Sequence, residues 1–163
     1  MTDDLTIDGP LTRLVPTTDA DLDLLAAWFA TPAFVEHWGG VRLTREVVAE
    51  KYVGRRRPRV GSYVVRAEGR PVGYAQYWHA AADEGGIDLV LTPQARGRGL
   101  GPDAACALVT HLFTHLGWRR VTVDPAAGNA RAVRAWEKAG FRQVQADGGH
   151  LLMERRPDAQ AGG

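Results

Sequence analysis

A glycine-rich turn between two apolar segments is the feature that most constrains how this chain folds. Residues 93–101 read Pro-Gln-Ala-Arg-Gly-Arg-Gly-Leu-Gly; they follow a strand-like run at residues 87–91 and open a helix-like run that continues to Leu116. Glycines at alternate positions let the backbone approach a ligand closely and turn its N–H groups to one side. A helix N-terminus directly behind the turn adds partial positive charge. The sequence therefore predicts a strand–turn–helix unit that binds a pyrophosphate.

Two common phosphate-binding motifs do not fit this turn. A P-loop ends in Gly-Lys-Ser/Thr, whereas this turn ends in Leu100-Gly101-Pro102. A dinucleotide fingerprint needs a third glycine three residues after the second, and Pro102 stands three residues after Gly99. The remaining pattern, Gln94-x-x-Gly97-x-Gly99, resembles the acyl-CoA pyrophosphate signature of the GCN5-related N-acetyltransferase (GNAT) family. Taken alone, the pattern also fits a glycine-rich connection that holds no ligand.

A second segment resembles the next motif of the same family. Residues 129–141 read Asn-Ala-Arg-Ala-Val-Arg-Ala-Trp-Glu-Lys-Ala-Gly-Phe, and the family motif is Asn-x-x-Ala-x-x-x-Tyr-Glu-Lys-x-Gly-Phe. The segment follows a predicted strand at residues 119–124, as the family requires. Two motifs in the right order and the right structural context identify the chain as a member of the GNAT family.

Length and charge exclude several other classes of protein. The chain has 163 residues and a net charge of +1, so we expect one domain and no broad basic field for nucleic acid. Cys106 is the single cysteine, which excludes an internal disulfide. We see no secretory signal, and no apolar run reaches membrane-spanning length. We expect a cytoplasmic monomer or homodimer without membrane partners, with one domain at residues 10–157 and flexible tails at 1–9 and 158–163.

The spacing of apolar residues predicts strands and helices in alternation, which is typical of a mixed α/β fold. Thr18-Asp19-Ala20-Asp21 resembles a capping box with Asp in place of Glu. Pro102 is tolerable near the start of the long helix, because the N–H that it lacks would be unpaired there. The predicted strands are residues 11–15, 61–67, 71–78, 87–91, 119–124, 141–144 and 150–154, and the predicted helices are 22–29, 33–38, 44–52, the glycine-rich turn to 116, and 129–139.

The resemblance implies the GNAT fold, a mixed central sheet flanked by helices. In that fold the parallel strands at residues 87–91 and 121–124 splay apart, and the pantetheine arm of acetyl-CoA pairs with the first of them at the opening. The resemblance also implies direct acetyl transfer through a ternary complex. It assigns cofactor binding to Gln94, Ala95, Arg96, Gly97, Arg98, Gly99, Leu100, Gly101, Asn129 and Trp136. The side chains of Arg96 and Arg98 are expected to pair with CoA phosphates, although their backbone N–H groups matter more to the motif.

Local features resemble one subgroup, the aminoglycoside 6′-N-acetyltransferases. They are residues 35–40 (Val-Glu-His-Trp-Gly-Gly), residues 72–76 (Val-Gly-Tyr-Ala-Gln), Gly86-Ile87-Asp88, and Asp124-Pro125 five residues before Asn129. This resemblance implies acetyl transfer to the 6′-amine of an aminoglycoside, a polycation, and hence antibiotic resistance. Siderophore-type lysine acyltransferases share much of the layout, so another small amine is an alternative substrate. Modification of protein N-termini is a further possibility, as is a regulatory domain that binds acyl-CoA without turnover.

Asp88 is the candidate base. An aliphatic amine is mostly ammonium at neutral pH and only the free amine attacks a thioester, so the site needs a carboxylate that binds the cation and accepts a proton. Asp88 is the only polar residue of residues 87–91, and strand alternation points it away from Ile87, Leu89 and Leu91. An unpaired charge there would be costly. Asp88 must therefore face a polar cleft, or, as the alternative, an arginine partner.

The remaining substrate contacts are assigned by the subgroup resemblance. Asp124 adds a second carboxylate for a substrate with several amines, and a turn cap before Pro125 is its alternative role. Trp38 and Tyr52 match positions that present aromatic surface to sugar rings, with ordinary core packing as the alternative. Gln76 is placed with them as a substrate-binding residue.

Trp136 departs from the family pattern. The family often places a tyrosine there to protonate the departing CoA thiolate, and an indole N–H has no practical acidity. Our hypothesis is that Trp136 contacts the sulfur while a water protonates the thiolate. Asn129 resembles the side chain that hydrogen-bonds the pantetheine arm, a role compatible with helix capping.

The other titratable residues give weaker predictions. His111 and His115 are four apart on the long helix, but we interpret them as a solvated face and predict no metal site. His37 stands beside Trp38 and is a candidate to line the cleft. We expect Cys106 to be a core thiol. The last candidates, which add negative potential at the mouth or simply face solvent, are Glu36, Asp83 and Glu84.

Overall fold

The structure is a computed structural model that describes residues 5–158. Eight strands form one open sheet in the order β1-β2-β3-β4-β5-β6-β8-β7. The strands are β1 (Ile7–Asp8), β2 (Arg13–Pro16), β3 (Val60–Ala67), β4 (Arg70–Ala81), β5 (Glu84–Leu91), β6 (Arg120–Val123), β7 (Arg142–Asp147) and β8 (His150–Arg155). The α-helices are α1 (Leu22–Phe29), α2 (Pro32–Val35), α3 (Arg45–Lys51), α4 (Leu100–Thr114) and α5 (Ala130–Lys138). The predicted mixed α/β class is confirmed.

The predicted caps and turns set these boundaries. The Thr18 hydroxyl accepts a hydrogen bond from the backbone of Ala20, and Asp21 caps Thr18 in return, so the capping box is present as a 3₁₀ turn before α1. Thr44 caps α3. Glu68 and Gly69 both have positive φ, 52° and 75°, which suits the tight turn that joins β3 to β4.

Strands β5 and β6 form the only parallel pair of the described sheet, and they part early. Their pairing runs from Glu84 opposite Arg120 to Gly86 opposite Thr122 and then stops. Strand β5 continues to Leu91 and stays paired with β4 on its other side. The edge of residues 87–91 that faces β6 is therefore open. This is the splay that the sequence resemblance implied, and it creates the space for a site.

The sheet separates two hydrophobic cores. On one side α4 packs Ala105, Leu108 and Leu112 onto the sheet, as predicted, and burying each leucine contributes about 1.5–3 kcal/mol. On the other side helices α1 to α3 bury an aromatic cluster around Phe29 and Tyr74. Within residues 5–158, each helix is too short or too polar to cross a bilayer.

Three local predictions need correction. Ile7 and Asp8 do not lie in a flexible tail, because they pair with β2. The turn between the two strands is closed by a hydrogen bond from the Gly9 N–H to the carbonyl of Thr12. The second helix is shorter than predicted and ends at Val35. Gly85 and Gly86 lie inside β5, not before it. The remaining parts of the predicted tails, residues 1–4 and 159–163, lie outside the described residues.

Candidate active site

The glycine-rich turn forms a cradle of backbone N–H groups. Gly97 and Gly99 adopt left-handed conformations, with φ of 77° and 78°, which glycine accepts without strain. Gly99 is the N-cap of α4 and no side chain caps that helix end. The first N–H groups of α4 therefore point out of the helix without a side-chain partner, the arrangement that binds anions. A Cβ added to Gly97 would lie 2.8 Å from a guanidinium nitrogen of Arg131, so the turn is also closely packed.

The arginine side chains of the turn contact neighbouring protein groups. Arg96 donates to the carbonyl oxygens of Leu91 at 3.2 Å and Ala33 at 2.9 Å, and so ties the turn to β5 and α2. Arg98 forms an ion pair with Glu68 at 2.7 Å. Among the other turn residues, Ala95 and Leu100 are buried, and Gln94, Gly97 and Gly99 are exposed.

A cleft of about 340 Å³ leads from this turn along the open edge of β5. Leu89, Val90 and Leu91 form one wall. The other wall comes from the start of α4 and from α5. Because β5 is unpaired toward β6 beyond Gly86, its peptide groups on that edge lack a strand partner, and Arg96 bonds only the last of them, the carbonyl of Leu91. The remaining lining residues include Arg96, Gly101, Pro102, Ala105, Asn129, Arg131, Ala132, Ala135 and Trp136.

A second cleft, of about 580 Å³, lies on the far side of the splay. Three carboxylates line it: Glu36, Asp88 and Asp124. The two clefts share a boundary, so they are two ends of one passage. The shared lining residues are Glu36, His37, Leu89, Asn129, Ala132 and Trp136. The structure thus brings Glu36 into the site, whereas Asp83 and Glu84 lie outside both clefts.

Asp88 stands on β5 and lines the second cleft, which we call the acidic cleft after its three carboxylates. Its Oδ2 accepts hydrogen bonds from Gln76 Nε2 at 3.0 Å and from Trp78 Nε1 at 3.2 Å. Burial raises the pKa of Asp88; the Gln76 amide opposes that rise, the charge of Asp124 adds to it, and the Trp78 indole opposes it. The alternative of an arginine partner is wrong, because Asp88 bonds an amide and an indole.

Both donors use the same carboxylate oxygen. Oδ1 of Asp88 therefore has no protein donor among the described residues, and it belongs to a side chain that lines the acidic cleft. Gln76, predicted as a substrate contact, lines this cleft as well and bonds Asp88 directly. An ionised carboxylate with one oxygen held and one open can bind an ammonium group and accept its proton.

Trp78 is a site residue that sequence reasoning missed. It stands opposite Gly86 across the β4–β5 pair, and its ring lies over the glycine where a Cβ would collide with it. From this position the indole N–H reaches Asp88, which lies two residues beyond Gly86 on β5. The signal was available in part, because Gln76 and Trp78 share a strand face and a glycine precedes Ile87 and Asp88.

Trp38 and Tyr52 lie where the aromatic core meets the second cleft. The Trp38 indole donates to the Tyr52 hydroxyl at 3.1 Å, and the two rings meet edge to face at 5.9 Å. Tyr52 also stacks on Phe29 at 4.7 Å, so it belongs to the core. Both residues line the acidic cleft as well. The aromatic wall of that cleft is therefore the outer layer of a packed core, which holds it rigid.

A model of the acetyltransferase (GNAT) domain matches residues 12–142. The chain belongs to the GNAT family. The aminoglycoside N(6′)-acetyltransferases type 1 of Klebsiella pneumoniae and of Serratia marcescens are each 35% identical to it over 143 residues, which cover 77% of this chain and 71% of theirs. These matches confirm the resemblance to the aminoglycoside 6′-N-acetyltransferase subgroup.

Solved structures of similar GNAT proteins confirm the fold. Aminoglycoside acetyltransferase AAC(6′)-Ib in complex with coenzyme A and kanamycin is 30% identical, with a TM-score of 0.78 over 92% of this chain and 96% of that one. AAC(6′)-Ib in complex with ribostamycin and coenzyme A is 31% identical, with a TM-score of 0.79 over 93% and 95%. The fold described above is thus shared with GNAT proteins solved in complex with coenzyme A and an aminoglycoside.

Asn129 and Trp136 occupy the junction of the two clefts in this GNAT chain. The Asn129 Oδ1 accepts the N–H of Ala132 at 3.1 Å and caps α5, while its Nδ2 lies 3.5 Å from Nδ1 of His37. Trp136 packs edge to face on Phe141 at 5.3 Å. The amide therefore keeps a donor directed across the passage. His37 lines both clefts, as predicted for a residue beside Trp38.

The remaining candidates lie away from the site. His111 of α4 and His115, which directly follows that helix, stack at 4.8 Å, and burial and the second imidazole lower the pKa of His111. Cys106 is half-buried against the carbonyl of Ala139. In residues 5–158 no group of three or more histidine, cysteine or acidic side chains is arranged to hold a metal ion.

Proposed function

We propose that this chain transfers an acetyl group from acetyl-CoA to the 6′-amine of an aminoglycoside and so confers resistance to that antibiotic. The observation that carries the proposal is a pair of adjoining clefts: one begins at the backbone cradle, and the other is lined by three carboxylates, among them Asp88 with one open oxygen. The identity of 35% to aminoglycoside N(6′)-acetyltransferases supports this choice of substrate.

The residues present fit acetyl-CoA. The N–H groups of residues 97–101 would hold its diphosphate, and the open edge of β5 would hold the amide groups of its pantetheine arm. Asn129 Nδ2 supplies a further donor, and Leu89, Ala132 and Trp136 supply an apolar wall. When bound, acetyl-CoA supplies an activated acetyl group as a thioester.

The acidic cleft would bind and activate the amine. Oδ1 of Asp88 binds the ammonium group and accepts its proton, so the free amine can attack the thioester carbonyl and form an amide. The carboxylates of Glu36 and Asp124 hold other amino groups of the polycation. Trp38 and Tyr52 present ring surface to its sugars. Fixed charges on a rigid wall position the reacting nitrogen, which lowers the entropic part of the barrier.

The departing thiolate needs a proton from another source than Trp136. The indole N–H can donate a hydrogen bond but not a proton. The attacking nitrogen still has to lose a second proton as the amide forms. We propose that a water at the junction of the clefts, where Trp136 lies beside Asn129 and His37, accepts that proton and passes one to the thiolate. Trp136 then acts by covering the sulfur and limiting the access of bulk water.

Thiol-release kinetics with a panel of amines tests the function. The panel holds kanamycin-like and tobramycin-like aminoglycosides, lysine derivatives and peptides, each with acetyl-CoA, and mass spectrometry with NMR locates the acetyl group. We expect turnover of aminoglycosides with a 6′-amine and none of analogues with a 6′-hydroxyl. Turnover of lysine derivatives or peptides alone would refute the substrate assignment. Coenzyme A binding without release of thiol on any amine would refute catalysis.

The organisation of the chain is part of the same proposal. A single domain is supported by the one continuous sheet that includes both Ile7–Asp8 and His150–Arg155. A cytoplasmic location is supported by the use of acetyl-CoA, an intracellular metabolite. Gel filtration with light scattering distinguishes a monomer from a homodimer.

A further inference from the structure

A buried line of hydrogen bonds leads from Asp88 into the core. Ser62 of β3, Gln76 of β4 and Asp88 of β5 are direct neighbours across the sheet. The hydroxyl of Tyr74, on the same face of β4 as Gln76, lies 2.9 Å from Ser62 Oγ and 2.9 Å from Gln76 Oε1. Tyr74 is 0% exposed and Ser62 is 1% exposed. Water does not compete for these groups, so the protein alone decides how they bond.

The direction of each hydrogen bond follows from the donor count. A phenol carries one proton, and the carbonyl oxygen of an amide can only accept. Tyr74 therefore donates to Gln76 Oε1, and the Ser62 hydroxyl donates to Tyr74. With Oε1 fixed, the amide nitrogen of Gln76 points at Asp88 Oδ2. Burial keeps the pKa of Tyr74 well above its usual range, so the phenol retains this proton.

We propose that Tyr74 is a positioning residue for the reaction: its hydroxyl fixes the orientation of the Gln76 amide, which holds Oδ2 of Asp88 and leaves Oδ1 for the amine. An amide is nearly symmetric in shape, so without the phenol Gln76 can turn over and present its carbonyl oxygen to the carboxylate. That orientation repels the charged form of Asp88. The inference rests on the proposed function for the role of Asp88 as base.

Tyr74→Phe tests the inference, because it removes the hydroxyl and keeps the ring. We expect kcat/KM for the amine to fall about tenfold, with KM for acetyl-CoA unchanged. Loss of the amide donor raises the pKa of Asp88 further, so the acidic limb of the pH profile moves to higher pH. The other titratable groups that face Asp88 or line its cleft stay the same in both proteins: Glu36, His37, Tyr52, Asp124 and His150.

Tyr63→Phe is the matched control. Tyr63 is equally buried, on β3, and belongs to the core on the other side of the sheet. We expect Tyr63→Phe to lower thermal stability without moving the pH profile. If Tyr74→Phe also lowers stability and leaves both kcat/KM and the acidic limb unchanged, Tyr74 is only structural and the inference is wrong.

A double-mutant cycle identifies the route of the effect. Gln76→Met keeps the shape of the side chain and removes the amide. We expect Tyr74→Phe to lower kcat/KM in the wild-type background and not in the Gln76→Met background. Equal losses in both backgrounds would show that Tyr74 does not act through Gln76.

An NMR titration of the Asp88 carboxyl carbon, without substrate, separates this inference from the proposed function. We expect a higher pKa for Asp88 in Tyr74→Phe than in wild type. If wild type acetylates no aminoglycoside, the proposed function fails, and the titration still decides the inference. An identical titration of Asp88 in the two proteins would overturn it.

Discussion

Replacing Asp88 by asparagine keeps the size of the side chain and removes the base. In the wild type, Gln76 and Trp78 donate to Oδ2 of Asp88 at 3.0 and 3.2 Å. The amide oxygen of asparagine can accept the same two hydrogen bonds, so the local structure should persist. The amide nitrogen that the substitution introduces cannot accept a proton from the substrate. We expect kcat/KM for the amine to fall by about 10²-fold to 10⁴-fold, or about 2.7–5.5 kcal/mol of transition-state stabilisation.

The same substitution should stabilise the fold at neutral pH. Burial raises the pKa of Asp88, so the folded state binds the proton more tightly than the unfolded state, and stability falls as pH rises through the folded pKa. Asparagine does not titrate. The Tm of Asp88→Asn should therefore exceed that of wild type at pH 7, and the difference should vanish below the usual Asp pKa of about 3.9.

The expected loss of turnover and the expected gain of stability are tested on the same variant. Thiol-release kinetics gives kcat/KM, thermal unfolding from pH 3 to pH 8 gives stability, and calorimetry confirms that coenzyme A still binds. Asp147→Asn, at an exposed carboxylate on β7, is the control and should change neither kinetics nor Tm. Near wild-type turnover of Asp88→Asn would remove Asp88 from the chemistry, and a lower Tm at pH 7 would refute the electrostatic reasoning.

Three further changes probe the cradle, the leaving group and the sheet. Gly97→Ala places a Cβ 2.8 Å from Arg131 at a φ of 77°, so we expect calorimetry to show coenzyme A binding weakened about tenfold or more; unchanged affinity would exclude the cradle. Trp136→Phe should keep kcat within about threefold of wild type and of Trp136→Tyr, because no proton comes from the indole, whereas a collapse would show that its N–H is needed. Glu154 accepts from Arg120 at 2.6 Å, which holds its pKa below the usual range, so Glu154→Gln should cost about 1–3 kcal/mol in denaturant unfolding at pH 7. That stability is present above the usual Glu pKa and is lost as pH falls through the lowered folded value, so an equal cost at pH 2 would contradict the assignment.

The sequence predicts the conformation of the glycine-rich turn and the face of Asp88, because both depend on local geometry. Alternate glycines before an apolar helix determine the direction of the N–H groups of residues 97–101, and strand alternation alone determines the face of Asp88. The capping box at Thr18 and the cap at Thr44 are local in the same sense. Each of these features needs only a few neighbouring residues to form.

The features that were missed depend on which residues meet across the sheet. Trp78 reaches Asp88 only because the β4–β5 register sets it opposite Gly86. That register follows from packing of the whole sheet and is not encoded in either strand alone. The strand at Ile7–Asp8 was missed for the same reason. Two residues show no periodicity, and the strand forms only through its pairing with β2.

The short pairing between β5 and β6 balances the stability of the sheet against the space for a ligand. Beyond Gly86, the peptide groups of β5 that point toward β6 lack the main-chain partners that a fully paired sheet would give them. A redesign that extended the β5–β6 pairing to Leu91 should raise the stability of the fold. On the proposed function it should also abolish activity, because the site proposed for acetyl-CoA would be closed. Thermal stability and ligand binding thus compete for the same few peptide groups.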